Sequence, residues 1–151
     1  MSLAQRVADR WEEDGVAWDA GADAELLDEA ERVHGVQLPP SFRELWRLRD
    51  GTTAPDRHWL IFMQASDLAQ PLYATRGPEG VALIFADWRQ GTALALRLGP
   101  EDRGVVRIED APRLLAASFD AFLETYLREA PDDFTQLLRR SDAAAGMDGA
   151  S

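Results

Sequence analysis

The segment from Glu25 to Gly51, ELLDEAERVHGVQLPPSFRELWRLRDG, constrains this chain more than any other. Leu26, Leu27, Ala30 and Val33 recur at helical spacing, with acids filling the other face. Asp23 stands where an N-cap carboxylate meets the free amides of a first helical turn. Gly35 follows His34 where a left-handed C-cap belongs, and Pro40 suits the first position of a second helix. Phe42, Leu45 and Trp46 form an i, i+3, i+4 stripe, and Asp50-Gly51 ends it as a turn. On periodicity alone this is a helical hairpin with a buried seam.

The flanking segments add strands and helices. Leu3, Val7 and Trp11 predict a first amphipathic helix over residues 2 to 14, with Trp18 docking on the core beyond the Gly15 break. The apolar run His58 to Met63 predicts a buried strand. Val81 to Trp88 and Thr92 to Leu98 flank Arg89-Gln90-Gly91 and predict an antiparallel hairpin. Its inward residues are expected to be Leu94, Leu96 and Leu98 against Ala82, Ile84 and Ala86. Gly104 to Ile108 predicts a further strand, whereas Arg76 to Gly80 and the stretch from Pro112 read as loops. Ser118 caps a closing helix whose apolar face is Phe119, Phe122, Leu123, Tyr126 and Leu127. A last short helix is expected after Asp132 or Asp133, carrying Phe134, Leu137 and Leu138, with disorder from Ser141 onward. Helices first, strands in the middle and helices last predict an α+β fold: N-terminal helices, a central, mainly antiparallel β-sheet, and C-terminal helices packed on that sheet. Length predicts one domain over residues 1–140 and a tail over 141–151.

The order of the signals adds a resemblance. Glu31, Gly35, Leu38, Pro39, Pro40, Phe42, Leu45, Trp46, Asp50 and Gly51, followed by ALIFADW, ALALRLG and SFDAFLETYL, resemble the SMI1/KNR4 family of the SUKH superfamily. The resemblance spans roughly residues 20 to 130. It implies a non-catalytic protein-binding module. Many bacterial members resemble immunity proteins that bind and block a polymorphic toxin, often a nuclease or a deaminase. The fungal relatives imply the alternative of a regulatory scaffold in cell-wall signalling. Leu38, Pro39 and Gly51 belong to the scaffold and are expected to take no part in binding.

Charge and chemistry narrow the function classes. The formal net charge is −11, and residues 9 to 31 hold ten acids against Arg10, a net of −9. Such a field repels nucleic acid and anionic membrane and attracts basic proteins. Clusters of acids at a helix surface also serve simply as a solvated face. No cysteine is present, so disulfides and thiolate metal sites are excluded, and two separated histidines make a zinc site unexpected. No phosphate-binding glycine motif or nucleophile elbow occurs. His34 is expected to sit at a helix C-terminus, where an imidazolium favours the dipole. His58 beside Asp56 is a possible general base, but no third partner is indicated. A small hydrolytic enzyme is therefore the weakest reading, and no catalytic, cofactor or metal residue is expected. The N-terminus lacks a basic start followed by an apolar run, and no segment approaches the roughly 20 apolar residues of a membrane span, so cytoplasmic residence is expected. The residues expected to meet a basic protein partner are Glu13, Asp14, Trp18, Asp19, Asp56 and Trp88, with Trp88 expected at the exposed turn end of its hairpin.

Overall fold

A computed structural model describes residues 1–78, 80–89, 91–99, 101–108 and 113–128. The expected last helix with Phe134, Leu137 and Leu138, and the tail from Ser141, lie outside the described residues. Three helices come early: α1 (Leu3–Glu13), α2 (Ala24–His34) and α3 (Pro40–Leu48). A short strand, β1 (Trp18–Ala20), separates α1 from α2 and pairs antiparallel with β2 (Arg49–Thr52). The main sheet holds β3 (Leu60–Phe62), β4 (Ala74–Gly77), β5 (Gly80–Trp88), β6 (Thr92–Leu98), β7 (Asp102–Arg107) and β8 (Arg113–Ala116). Its order is β3-β5-β6-β7-β8, with β4 also against β5, and every pairing is antiparallel. One-turn α4 (Ala65–Leu68) follows β3, and α5 (Phe119–Tyr126) closes the described chain. The fold is α+β, as the element order predicts.

Helices from both ends of the chain press one aromatic layer onto the sheet. Phe42 and Trp46 of α3 stack with ring centroids 3.8 Å apart. Trp11 of α1 meets Phe62 of β3 at 5.1 Å, and Phe122 of α5 meets Phe85 of β5 edge-on at 5.6 Å. All six rings are fully buried. Such ring pairs add about 0.5–1.5 kcal/mol each beyond the area they bury.

The motif around the helical hairpin is structural, residue by residue. Gly35 takes φ 66° as the left-handed cap of α2, and Pro40 opens α3. Glu31 accepts from the Leu38 amide at 2.7 Å and from Arg43 at 2.9 Å, so it ties the end of α2 to the start of α3. Asp50 accepts from the Ala65 amide at 2.7 Å, at the first turn of α4. Trp46 donates its indole N–H to the Met63 carbonyl at 2.8 Å. Gly51 has φ 74°, and a Cβ there would sit 2.5 Å from the Met63 carbonyl oxygen and 2.6 Å from that of Phe62.

Several expectations change. The buried stripe of α2 is Leu27, Ala30 and His34, whereas Leu26 and Val33 reach solvent. That i, i+3, i+7 stripe is a rotated version of the predicted one, because His34 fills an inward place. His34 ends α2 as expected, and its Nε2 donates to the Leu68 carbonyl at 2.6 Å, a buried tether to α4. Asp23 precedes α2 in extended conformation, but its side chain makes no capping hydrogen bond. The Arg76–Gly80 loop is the tip of a β4–β5 hairpin with Gly77 opposite Gly80. The stretch after Pro112 enters β8 at Arg113.

The β5–β6 hairpin is present, but its inward face differs. On β5 the buried residues are Val81, Leu83, Phe85, Ala86 and Trp88, not Ala82 or Ile84. Leu98 opposes Val81, Leu96 opposes Leu83, and Leu94 opposes Ala86. A register shift between Ile84 and Ala86 moves the alternation by one residue, as a β-bulge does.

The Gly51 geometry makes a sharp prediction. Gly51→Ala should lower the unfolding free energy by more than about 3 kcal/mol, since it adds a backbone clash to a left-handed φ. Denaturant titration measures this, and a loss below about 1 kcal/mol would show that the β2–β3 contact yields easily.

Candidate functional site

Two groups emerge from the residues singled out in the sequence: one on the surface and one inside. Glu13 ends α1 and is exposed, with Arg10 Nε 3.8 Å from its carboxylate. Asp14 caps α1 and lies 3.6 Å from Arg57 Nε. Trp18 on β1 is half-buried, and the Arg49 guanidinium sits over its ring at 4.6 Å. Asp19 is exposed and accepts a hydrogen bond from Gln64. The C-terminus of α1 and the adjoining β1 thus carry the exposed acids Glu12, Glu13, Asp14 and Asp19, with buried Val16 and half-buried Trp18 between the last two. Acids farther along are partly engaged: Asp28 and Glu31 pair with Arg43 at 2.8 and 2.9 Å.

Asp56 and Trp88 do not belong to that surface, which corrects the expectation for both. Asp56 is 7% exposed and Trp88 5% exposed. The bulge in β5 turns Trp88 inward, where its indole N–H donates to the His58 carbonyl at 3.1 Å. Arg89 and Arg107 lie over its ring at 5.1 and 5.4 Å.

Asp56 is the hub of a buried hydrogen-bond chain. Its Oδ1 accepts from the amides of His58 at 2.8 Å and Leu60 at 2.9 Å. Its Oδ2 accepts from the Tyr126 hydroxyl, which accepts from the Trp11 indole N–H at 2.8 Å. One carboxylate therefore joins α1, α5 and the loop before β3. Desolvation raises the Asp56 pKa above its usual value, and the three hydrogen bonds partly oppose this. Burial, then the Asp56 charge, pushes the Tyr126 hydroxyl well above its usual range.

His58 is 1% exposed and meets the Tyr126 ring edge-on at 5.0 Å. Burial, reinforced by the Arg57 charge, lowers its pKa to about 4, while a hydrogen bond with the Tyr126 backbone works the other way. Its environment is a tryptophan, a tyrosine and one carboxylate already committed to three donors. That arrangement braces a loop and presents no reactive atom to solvent. A hollow of about 200 Å³ lies elsewhere, along β4, β5 and β6, lined by Thr75, Arg76, Val81, Ala82 and Arg97. Among the described residues that line it there is no histidine and no carboxylate. Among the described residues no group of three His, Cys, Asp or Glu is placed to hold a metal, and no helix is long and apolar enough to cross a membrane.

The exposed tryptophan is Trp59, which the sequence reading assigned simply to the start of a strand. It is 60% exposed, and its φ is 66°. The signal was available in the period-2 pattern: Leu60 and Phe62 face inward, so Ile61 and the preceding odd position face outward.

The pH dependence of this buried cluster has two opposing parts. His58 binds its proton less tightly in the fold, so its contribution is full above about 6.5 and lost as pH falls toward 4. Asp56 has the opposite sign: its contribution is greatest below its unfolded value of 3.8 and declines as pH rises through the raised folded value. Urea midpoints measured from pH 7 to 4 should decline less steeply in His58→Gln than in the parent chain; identical slopes would remove His58 as the cause. Tyr126→Phe should cost about 1–3 kcal/mol at pH 7, because it strips a buried carboxylate and a buried indole N–H of a partner together.

The family model of the SMI1 / KNR4 family (SUKH-1) matches residues 21–125. A search of curated proteins returns no match.

Proposed function

Because the chain belongs to the SMI1/KNR4 family (SUKH-1), we propose that it is a non-catalytic protein-binding module, an immunity protein that occludes a basic bacterial toxin of the nuclease or deaminase kind. The observation that carries this reading is the exposed acidic run at the end of α1 and along β1, mounted on a rigid aromatic core. A nuclease or deaminase binds a polyanion and so presents a cationic surface. An acidic, pre-formed face competes for that surface and is drawn to it by charge. Binding then blocks the toxin by covering its substrate channel, with no chemistry by this chain.

Glu13, Asp14 and Asp19 are assigned to steering, and Trp18 to contact. Trp18 is half-buried under Arg49, so the side of the indole left to solvent is held in place before any partner arrives. Such preorganisation lowers the entropic cost of association. The burial of His58 and the saturation of Asp56 also favour a binding role over catalysis, since neither group is free to exchange protons with a substrate.

The test first reads the neighbouring genes: where one encodes a large secreted protein with a C-terminal toxin domain, that domain, prepared as a catalytically inactive variant, is the binding partner used. Reversing Glu13, Asp14 and Asp19 to Lys should slow association about tenfold or more at low salt, with a much smaller effect on dissociation. An association rate unmoved by the triple reversal would remove the steering role. A parent chain that fails to bind the domain would remove the immunity reading.

A further inference from the structure

We propose that Trp59 is the anchor of the partner surface, the indole over which a basic protein partner lays an Arg or Lys side chain; the proposal rests on the binding reading above and extends it to a residue outside the acidic run. Three observations converge on it. Among the described residues Trp59 is the one large aromatic that is exposed, at 60%. Its φ of 66° lies in the left-handed region, which bulky L residues avoid for steric reasons. It sits in a frame that leaves it no alternative. On either side, His58 and Leu60 are buried, and one Asp56 oxygen holds both of their amides. The Trp59 N–H donates to the Asp56 carbonyl at 3.0 Å, and its own carbonyl accepts from the Arg89 amide at 3.0 Å.

This frame thrusts an indole into water at a conformational cost. A glycine at this position would adopt the same φ without strain, and an exposed indole adds nothing to the core. Strain of this kind concentrates where a side chain must be presented in a set direction. A rigid aromatic with two torsions is also the residue type that dominates binding hot spots.

The neighbourhood sets the chemistry of the occupant. The loop carrying Trp59 runs beside the acidic run: the Thr53 amide donates to the Ala17 carbonyl at 2.9 Å, and Arg57 lies 3.6 Å from Asp14. A partner drawn to Glu13, Asp14 and Asp19 is rich in Arg and Lys. A cation placed on the indole face gains from the ring, and the Asp14 carboxylate stands on the flank of the same loop, across Arg57. Arg49 already sits over Trp18 and Arg89 over Trp88, so of these three tryptophans only Trp59 has no cation over its ring among the described residues.

The experiment pairs Trp59→Gly with the same inactive toxin domain and with a melting curve. Trp59→Gly relieves the left-handed strain, so its melting temperature should hold or rise by about 2–4 °C while affinity falls about 30-fold or more. Trp59→Phe keeps an aromatic face and should restore part of the lost affinity. A Trp59→Gly variant that binds as tightly as the parent would overturn the anchor and leave the immunity reading standing. A melting temperature that drops by several degrees would assign Trp59 to structure and also overturn it. A parent chain that sediments as a dimer, with Trp59→Gly a monomer, would make a second copy the occupant and overturn the basic partner. A parent that ignores the toxin domain sinks this proposal together with the reading it extends.

Discussion

The fold depends on a carboxylate in its interior. Asp56 gathers the Tyr126 hydroxyl and the amides of His58 and Leu60, and through Tyr126 it reaches the Trp11 indole. Residues 11, 56 and 126 come from the first helix, the middle loop and the last described helix. Without that hub, two helices from opposite ends of the chain would meet only through nonspecific apolar contact. Burying a charge is costly, and desolvation raises the Asp56 pKa for the same reason. The three donors offset it, so the chain is fully engaged rather than half satisfied. Specificity of docking is the return: α1 and α5 can sit against β3 in one way.

The same hub explains the division between scaffold and surface. Residues of the SMI1/KNR4 motif tie elements together: Glu31 to Leu38 and Arg43, Asp50 to α4, Gly51 beneath the Met63 carbonyl. None of these is free for a ligand. Exposed positions at element ends and in loops are presented by the core without tying elements together. The acids at the end of α1 and the loop before β3 are such positions. Asp56 orders the loop from inside by holding the His58 and Leu60 amides on either side of exposed Trp59.

Much of the architecture was legible in local pattern. The stripe Phe42, Leu45, Trp46, the cap glycine at 35 and the proline at 40 set α3 and its approach, because each acts over three or four residues. The β5–β6 pairing followed from two apolar runs and a short connection. The errors fall where a residue answers to something distant in sequence. The face of β5 was misread at Ala82 and Ile84 because the bulge at Ile84 to Ala86 reverses the alternation between them and Ala86, which does face inward. Edge strands β1, β2, β4 and β8 are too short, at three or four residues, to carry a period of their own.

Composition and periodicity alone determined the helical segments, the central hairpin, the α+β class and the concentration of negative charge in the first third of the chain. These are properties of neighbours in sequence, and a helix or strand expresses them within a turn or two. Tertiary contact alone decided that Trp88 and Asp56 are inside, although both are polar-edged residues near turns. The reason is that a side chain's exposure depends on what packs over it, here a tyrosine 70 positions from Asp56 and a carbonyl 30 positions from Trp88. No local pattern encodes partners so far along the chain.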